Sequence, residues 1–199
     1  MPLSRDPQRL EPSVRARLQA LRRLASQRGL SFILTSTLRT APEQEALYAQ
    51  GRRPLQEVNA LRARAGLEPI TEAENRIVTW TKVSMHQFGL AFDVALLDEG
   101  GRPHWELAKD TNGNGRPDYL ELGELGEAAG LQWGGRFSSP DYCHFQYTGG
   151  LSLQELLQGR RPGEPSPAEG PPQGAAPEPR ARTITHFIRR FLACFPLRP

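Results

Sequence analysis

The chain has 199 residues, 38% of them hydrophobic, with 18 Pro and 19 Gly, a composition that fits one domain with appended loops and a linker. No apolar run reaches the roughly eighteen residues of a membrane-spanning helix, and two Cys residues make no disulfide framework. The net charge of +3 is distributed unevenly along the chain: residues 159–199 hold seven Arg and three Glu (+4), which leaves −1 for residues 1–158. The domain therefore has no excess of basic residues, which excludes a basic nucleic-acid-binding face on it.

The first third of the chain predicts two helices with a strand between them. Residues 1–7 lack the apolar core of a signal peptide, so we expect synthesis in the cytoplasm without a leader. Apolar residues recur at helical spacing over residues 13–27, and the β-prone residues 30–37 indicate a central strand. A second helix over residues 42–50 is predicted from a Pro near its first turn and a Gly directly after its end.

The segment from residue 53 to residue 78 carries no side chains with evident chemistry. Residues 55–65 predict a helix, and the spacing of Thr71 and Glu74 is that of a capping box, which would open a short turn. We interpret this segment as an ordinary insertion, and the alternative is a flap beside a cleft.

A tight turn followed by a buried strand is predicted over residues 84–97. Residues 90–97 are apolar with β-branched and aromatic members, which is typical of a buried strand. The alternation of side chains along a strand places Asp93 between two Ala residues on one face, where a bulky group could approach it. Gly89 permits the turn that lets His86 fold back over the start of the strand.

Residues 110–121 match the twelve-residue calcium-binding loop of EF-hands, with oxygen donors at positions 1, 3, 5, 9 and 12 and a Gly at position 6. The predicted calcium ligands are Asp110, Asn112, Asn114, the backbone carbonyl of Arg116, Asp118 through water, and Glu121 in bidentate fashion. Pro117 lacks the N–H that joins paired loops, so we expect a solitary loop. The alternative is a polar Asn-Gly turn without a metal.

Helical spacing resumes after this loop, and strand-like alternation returns near the end of the domain. Residues 119–129 predict a helix that ends at a Gly, and residues 151–157 predict a short closing helix. Trp133 is either a core residue or a substrate platform, and the two Gly residues after it would let the backbone approach a ligand. The alternation over residues 144–147 places His144 at the start of a strand.

Two stretches, residues 84–93 and 141–144, supply groups for metal chemistry. The predicted zinc ligands are His86, Asp93 and His144. Two imidazoles and one carboxylate suit zinc and leave the fourth position open for water, and Asp141 remains as a general base acting on that water. A rival hypothesis makes Cys143 a nucleophile with a His as its base, but neighbouring side chains of an extended segment point in opposite directions, so we expect Cys143 to face away from the metal.

These motifs resemble those of the VanY-like zinc peptidases. The pattern S-x-H-x-x-G-x-A-x-D over residues 84–93, then W-G-G at 133–135 and D-x-x-H-F at 141–145, occurs in their order, and residues 39–52 resemble their R-T-x-x-x-Q-x-x-L-Y-x-x-G-R segment. That family includes D-Ala-D-Ala carboxypeptidases and the L-alanyl-D-glutamate endopeptidases of phage endolysins and bacterial cell-wall hydrolases. The resemblance covers residues 13–157, and several motifs in the right order are more specific than any one of them.

The resemblance implies an α+β fold, Hedgehog- and DD-peptidase-like, in which helices flank a small antiparallel sheet. It implies zinc on the two His residues and the Asp, Asp141 as the base, and Arg39 as a cation that binds substrate or stabilises the oxyanion. Gln44, Ser84 and Trp133 are the expected substrate-binding residues. Carboxypeptidase members usually have Glu where this chain has Asp141, which favours an endopeptidase.

Three regions are predicted: a catalytic domain over residues 1–158, a linker over 159–182 and a cationic amphipathic helix over 183–199. The linker is rich in Pro, Gly, Ala and Glu without periodicity. Apolar residues between 183 and 195 form one helical stripe opposite His and Arg, which is typical of helices that bind a membrane or outer envelope. The alternatives are docking onto the domain or dimerisation, and we expect a monomer.

The sequence as a whole predicts a zinc-dependent peptidoglycan peptidase, foremost an L-alanyl-D-glutamate endopeptidase of the endolysin type, which a phage holin would release to the cell wall. A D-Ala-D-Ala carboxypeptidase is the near alternative, with Arg39 binding the terminal carboxylate. A non-catalytic cell-wall-binding module is a different class, and Asp141 argues against it because binding needs no base. A membrane-disrupting protein acting through residues 183–195 is a further alternative.

Overall fold

A small antiparallel sheet is the centre of the molecule, whose computed structural model describes residues 3–163. The strands are β1 (Phe32–Ser36), β2 (Ala91–Leu97), β3 (Pro103–His104), β4 (Gln132–Trp133) and β5 (His144–Gln146). Their order is β1–β2–β5–β4, and β3 pairs with the end of β2. The three predicted strands are confirmed, whereas β3 and β4 have two residues each and are too short to show a pattern.

Five helices within residues 3–163 surround this sheet. They are α1 (Pro12–Gln27), α2 (Ala41–Ala49), α3 (Leu55–Arg64), α4 (Asp118–Ala128) and α5 (Leu153–Leu157). Each begins and ends within two residues of its predicted bounds. Pro lies in the first turn of α1 and α2 and at the N-cap of α3 and α4, Ser152 caps α5, and a Gly follows two residues after the end of every one of these helices. Short 3₁₀ turns at Pro7–Arg9, Glu72–Glu74, Met85–Phe88 and Gly134–Arg136 complete the described elements, and the predicted capping box of Thr71 and Glu74 opens the second of them.

The hydrophobic core has two parts. The apolar stripe of α1, formed by Val14, Leu18, Leu21 and Ala25, packs with α4 and the sheet into the main cluster. A smaller cluster lies between α2 and α3 and includes Ala46, Val58 and Leu61. The α2–α3 pair thus has a core of its own beside the sheet, and this arrangement leaves a cleft between the two.

Helix α4 lies unusually close to the two strands β4 and β5. A Cβ atom at Gly123 would lie 2.3 Å from the Trp133 ring, and one at Gly126 would lie 2.3 Å from the Phe145 ring. These two glycines disfavour a helix by propensity, yet they are needed because a larger residue would push α4 off the sheet. Packing against β4 and β5 therefore explains why the helix continues through both glycines.

The α+β class is confirmed, with helices flanking a small antiparallel sheet. Among residues 3–163, no helix is both long and apolar enough to span a membrane. Most of the predicted linker and all of the predicted tail helix, residues 183–199, lie outside the described residues, so the predictions for them remain predictions.

Candidate metal centre and active-site cleft

His86 is presented by a 3₁₀ turn directly before β2. Ser84 caps this turn, with its Oγ accepting from the His86 N–H at 3.4 Å, and Gly89 ends it in the left-handed conformation at φ 69°. His86 Nδ1 lies 2.7 Å from the carbonyl oxygen of Thr37, which can only accept, so Nδ1 carries the proton. His86 Nε2 is therefore the ring atom with a lone pair, and it lies 3.2 Å from Asp93 Oδ1.

Asp93 and His144 are direct partners across strands β2 and β5. His144 Nδ1 lies 3.0 Å from Asp93 Oδ1, and His144 Nε2 lies 3.1 Å from Gln146 Oε1, which accepts its proton. One ligand atom from each of His86, Asp93 and His144 lies within 4.8 Å of the other two. The three predicted zinc ligands therefore lie together. In each imidazole, one ring nitrogen faces the Asp93 carboxylate and the other makes the hydrogen bond that orients the ring.

Without a metal, the electrostatic environment favours the metal-binding protonation states of His86 and Asp93 but opposes that of His144. Burial, assisted by the charge of Arg39, lowers the pKa of His86 to about 4, so its imidazole is neutral near pH 7. Burial alone would raise the pKa of Asp93, but His86 and Arg39 outweigh it and hold that pKa well below its ordinary value. Burial acts to lower the pKa of His144, and its hydrogen bond to Asp93 overcomes this and raises the pKa.

Asp141 lies beside this cluster, immediately before the turn that leads into β5. One ligand atom each of Asp93, Asp141 and Cys143 lies within 4.8 Å of the other two. The Asp141 N–H donates to the Gly134 carbonyl at 2.9 Å. A Cβ atom at position 134 would lie 2.4 Å from the backbone carbonyl oxygen of Asp141, so only Gly fits there. Burial and the charge of Asp93 raise the pKa of Asp141 to about 6, which is suitable for a group that takes up a proton near neutral pH.

Cys143 does not face away from the cluster, contrary to the expectation from alternation. Its Sγ lies 3.1 Å from Asp141 Oδ1 and the side chain is 6% exposed. The reason is that residues 142–143 form a turn before β5, so the alternation of a strand does not apply to them.

Arg39 occupies the loop between β1 and α2, as expected. Its guanidinium forms an ion pair with Asp93 through Nη2 and donates to Ser36 Oγ at 2.9 Å through Nε, and its backbone N–H donates to the His86 carbonyl at 3.1 Å. Arg39 thus lines the cleft while contacting one of the predicted zinc ligands. In this position it orients the Asp93 carboxylate and adds positive charge beside it.

Of the three expected substrate-binding residues, only Ser84 lines the cleft. Gln44 is fully buried and its Nε2 donates to the Thr81 carbonyl at 2.7 Å, so it supports the cleft wall from behind. Trp133 is 4% exposed, belongs to the main core and donates from Nε1 to the Tyr142 carbonyl at 2.9 Å. The expectation that Gln44 and Trp133 contact substrate is therefore wrong for this structure, because both side chains are enclosed by protein.

The predicted zinc ligands His86, Asp93 and His144 open into a cleft of about 900 Å³. The five side chains Arg39, His86, Asp93, Asp141 and His144 lie along it, and none of the cleft-lining residues belongs to the loop 110–121. Aromatic side chains of Trp80, Trp105 and Phe137 also line it, and Trp80 is 60% exposed. The cleft therefore combines a buried polar centre with apolar walls, which is the usual composition of a substrate site.

Comparison with known proteins identifies relatives of this chain. Residues 78–147 match the M15 family model described as D-alanyl-D-alanine carboxypeptidase. The peptidoglycan L-alanyl-D-glutamate endopeptidase CwlK of Bacillus subtilis (strain 168) is 32% identical over 149 residues, which cover 73% of this chain and 76% of CwlK. Among solved structures, the L-Ala D-Glu endopeptidase ChiX of Serratia marcescens is 18% identical with a TM-score of 0.46, covering 75% of this chain and 86% of ChiX. VanYB in complex with D-alanine-D-alanine is 21% identical with a TM-score of 0.41, covering 75% of this chain and 82% of that one.

Proposed function

The chain belongs to the M15 family of peptidoglycan peptidases, and from this membership we propose that it is a zinc-dependent endopeptidase that cleaves the L-alanyl-D-glutamate bond of stem peptides. The observation that carries the proposal is the buried cluster of His86, Asp93 and His144 with Asp141 beside it.

The donor set of the cluster fits zinc. Two imidazole nitrogens and one carboxylate oxygen are the ligands that zinc accepts in catalytic sites. His86 offers Nε2 and His144 offers Nδ1, because the opposite ring nitrogens are held by the Thr37 carbonyl and by Gln146. Such outer hydrogen bonds orient metal-binding imidazoles and raise their basicity. When bound, zinc would supply a Lewis acid that polarises the scissile carbonyl and lowers the pKa of a water molecule.

Asp141 is the residue that we assign as general base. Its carboxylate takes a proton from the attacking water at Oδ1 or Oδ2 and returns it to the leaving amine of the peptide. The raised pKa of about 6 suits both steps, because the carboxylate is ionised near pH 7 and still holds a proton well enough to pass it on.

The identity of the bond rests on two observations. CwlK, the relative that is 32% identical, is an L-alanyl-D-glutamate endopeptidase by name, and this chain has Asp at position 141, where the carboxypeptidases that it resembles usually have Glu. The D-Ala-D-Ala carboxypeptidase remains the second candidate because the matching family model carries that description. A carboxypeptidase needs a cation for the terminal carboxylate, and Arg39 already has its Nε and Nη2 engaged by Ser36 and Asp93.

Mass spectrometry of digested peptidoglycan tests the proposal. Purified sacculi are incubated with the protein alone, with a zinc chelator, and with chelator followed by excess zinc, and Asp141→Ala is run in parallel. New peptides with free N-terminal D-Glu, lost with chelator and restored by zinc, are expected. Release of D-alanine alone would assign the carboxypeptidase activity. The absence of both new N-terminal D-Glu and free D-alanine in every condition would exclude both peptidase activities.

A further inference from the structure

The loop 110–121 folds around the carboxylates that it contains. The N–H groups of Asn114 and Gly115 donate to the two oxygens of Asp110 at 3.2 and 2.8 Å, and the Arg116 N–H donates to Asn114 Oδ1 at 2.8 Å. These bonds hold the oxygen-bearing side chains at positions 1 and 5 of the loop toward its interior. They do not by themselves indicate a ligand, since Asp and Asn often make such bonds in turns.

Glu121, the last residue of the loop, lies in the first turn of α4 and is buried, with 2% of its surface exposed. Its Oε2 accepts from Asn112 Nδ2 at 3.0 Å and from Asn114 Nδ2 at 2.6 Å, so the carboxylate points at the centre of the loop. Within residues 3–163, its Oε1 has no hydrogen-bond partner. The Arg28 Nη1 atom is 3.8 Å from Oε1, beyond hydrogen-bond distance, on a side chain that is 61% exposed. A buried carboxylate oxygen without a partner is costly, so this atom indicates a missing cation.

The positive charges near the loop compensate its carboxylates only weakly. Asp118 is fully buried, and within residues 3–163 the Thr111 N–H is the one hydrogen-bond donor to its two carboxylate oxygens. The guanidinium of Arg116 is held by both carboxylate oxygens of Glu124 at 2.8 Å, outside the loop. His104 Nε2 lies 4.0 Å from Asp118 Oδ2, but burial lowers the pKa of His104, so this imidazole is neutral near pH 7.

We propose that residues 110–121 bind one Ca²⁺ ion at a site separate from the catalytic cleft. The side-chain oxygens of Asp110, Asn112 and Asn114, the Arg116 carbonyl and both oxygens of Glu121 are the ligands. A set that contains only oxygen atoms selects a hard cation, and a flexible loop with a bidentate carboxylate suits Ca²⁺ better than Mg²⁺, which demands a small octahedral site. Bound calcium supplies the partner that Glu121 Oε1 lacks.

The proposed calcium site is linked through α4 to the strands that carry the predicted zinc ligand His144. The helix begins within the loop, and Gly123 and Gly126 bring it against the rings of Trp133 and Phe145 in strands β4 and β5. Phe145 adjoins His144, so α4, whose first turn belongs to the loop, packs through its later turns against the strand that holds one of the predicted zinc ligands. Calcium therefore stabilises the fold of the domain, and we expect its removal to loosen the first turn of α4.

Thermal unfolding and isothermal titration calorimetry of the full chain test this proposal without any measure of peptidase activity. Zinc is kept at a constant saturating level, and CaCl₂ is compared with MgCl₂ at equal concentration. Calcium at about a hundred times its Kd is expected to raise Tm by on the order of 5 °C. Magnesium is expected to give a much smaller shift, and calorimetry is expected to show one calcium ion per chain.

Two variants and a matched control make the result specific. Glu121→Gln and the exposed Asp110→Asn are each expected to lose at least ten-fold in calcium affinity. Glu127→Gln, also on α4 but paired with Arg136 away from the loop, keeps it. In calcium-free buffer, Glu121→Gln is expected to be as stable as the unchanged protein or more stable, because it removes a buried uncompensated charge. Equal shifts with calcium and magnesium, no heat of calcium binding, or full affinity in both loop variants would overturn the proposal.

Discussion

Two regions of this molecule gather buried carboxylates, and they do so with different donors. In the cleft, Asp93 lies between two imidazoles and an arginine, and the ring nitrogens that face away from it are both held by hydrogen bonds. In the loop 110–121, Glu121 has no imidazole beside it. The amide groups of Asn112 and Asn114 donate to its Oε2, and its Oε1 has no hydrogen-bond partner among residues 3–163. The comparison teaches that the two regions offer different potential metal ligands: imidazole nitrogens with a carboxylate, a set that favours zinc, and the oxygens of Asp, Asn and Glu, a set that favours calcium.

Removing one imidazole of the cleft gives the largest expected effect and tests whether the two regions are independent. His86→Ala deletes a ligand and leaves the buried Asp93 without its neighbour. We expect loss of zinc by elemental analysis and loss of peptidoglycan cleavage to the uncatalysed background. The Tm shift on adding calcium should be unchanged, and its disappearance would show that the two sites fold as one unit.

Replacing the proposed base separates catalysis from metal binding within the cleft. Asp141→Asn keeps the shape of the side chain but cannot accept the proton, so kcat is expected to fall by about 10²- to 10⁴-fold. Zinc content measured by elemental analysis should stay at one ion per chain, because Asp141 is not among the proposed ligands. A variant that loses zinc as well as activity would make Asp141 a ligand instead of the base.

An intermediate effect is expected from Gln146, which was not among the residues predicted from the sequence. Its Oε1 accepts from His144 Nε2 at 3.1 Å, and its Nε2 donates to Gln132 Oε1 at 2.8 Å. Gln146→Ala should weaken zinc binding by about 10- to 100-fold, as is usual when a partner of a metal-bound imidazole is removed. Gln132→Ala, one bond further from the metal, is the matched control and should change zinc affinity much less. Equal losses in the two variants would mean that zinc affinity depends on the integrity of the sheet edge and not on the hydrogen bond to His144.

The sequence predicted the parts of both regions that depend on local spacing. The turn at Gly89 and the face occupied by Asp93 follow from backbone conformation and strand alternation, and the helix bounds follow from Pro and Gly. The Thr37 carbonyl was missed because it is forty-nine residues from His86 in the chain, and its role rests on strand pairing that a motif does not contain. Gln146 was missed for a different reason, since its position in the strand was noted but nothing in the sequence indicates that its amide holds His144.

Two errors share another cause. Gln44 and Trp133 lie in motif segments, and membership of a motif was taken as contact with substrate. Both are enclosed in the structure, where Gln44 holds the Thr81 carbonyl and Trp133 fills the space that Gly123 leaves open. A motif therefore contains residues that support a site as well as residues that contact the substrate, and the burial of each side chain in the structure distinguishes these two groups of residues.

The smallest expected effect concerns the buried imidazole of His104, which lies in β3 beside the loop 110–121 and is not a proposed metal ligand. His104 is 6% exposed, and within residues 3–163 its ring nitrogens have no hydrogen-bond partner. Burial and Lys109 lower its pKa, while Asp118, Glu106 and Asp98 act to raise it, and burial prevails. The folded protein therefore binds fewer protons at this residue than the unfolded chain does. Between the ordinary pKa of His, about 6.5, and the lowered pKa, the free energy of unfolding must fall as pH falls.

The contribution of His104 is isolated by comparing the unchanged protein with His104→Gln, which cannot titrate. Denaturant unfolding at several pH values from 7.5 to 5 should show a steeper loss of stability for the unchanged protein, with a difference below about 1.4 kcal/mol per pH unit, the limit for one proton. Both proteins contain the same His residues in the cleft, so those contributions cancel in the difference. Parallel pH profiles would mean that His104 is protonated as readily in the folded protein as in the unfolded chain. The buried imidazole beside Asp118 would then carry charge near pH 6, and the loop 110–121 would need less positive charge from a metal ion.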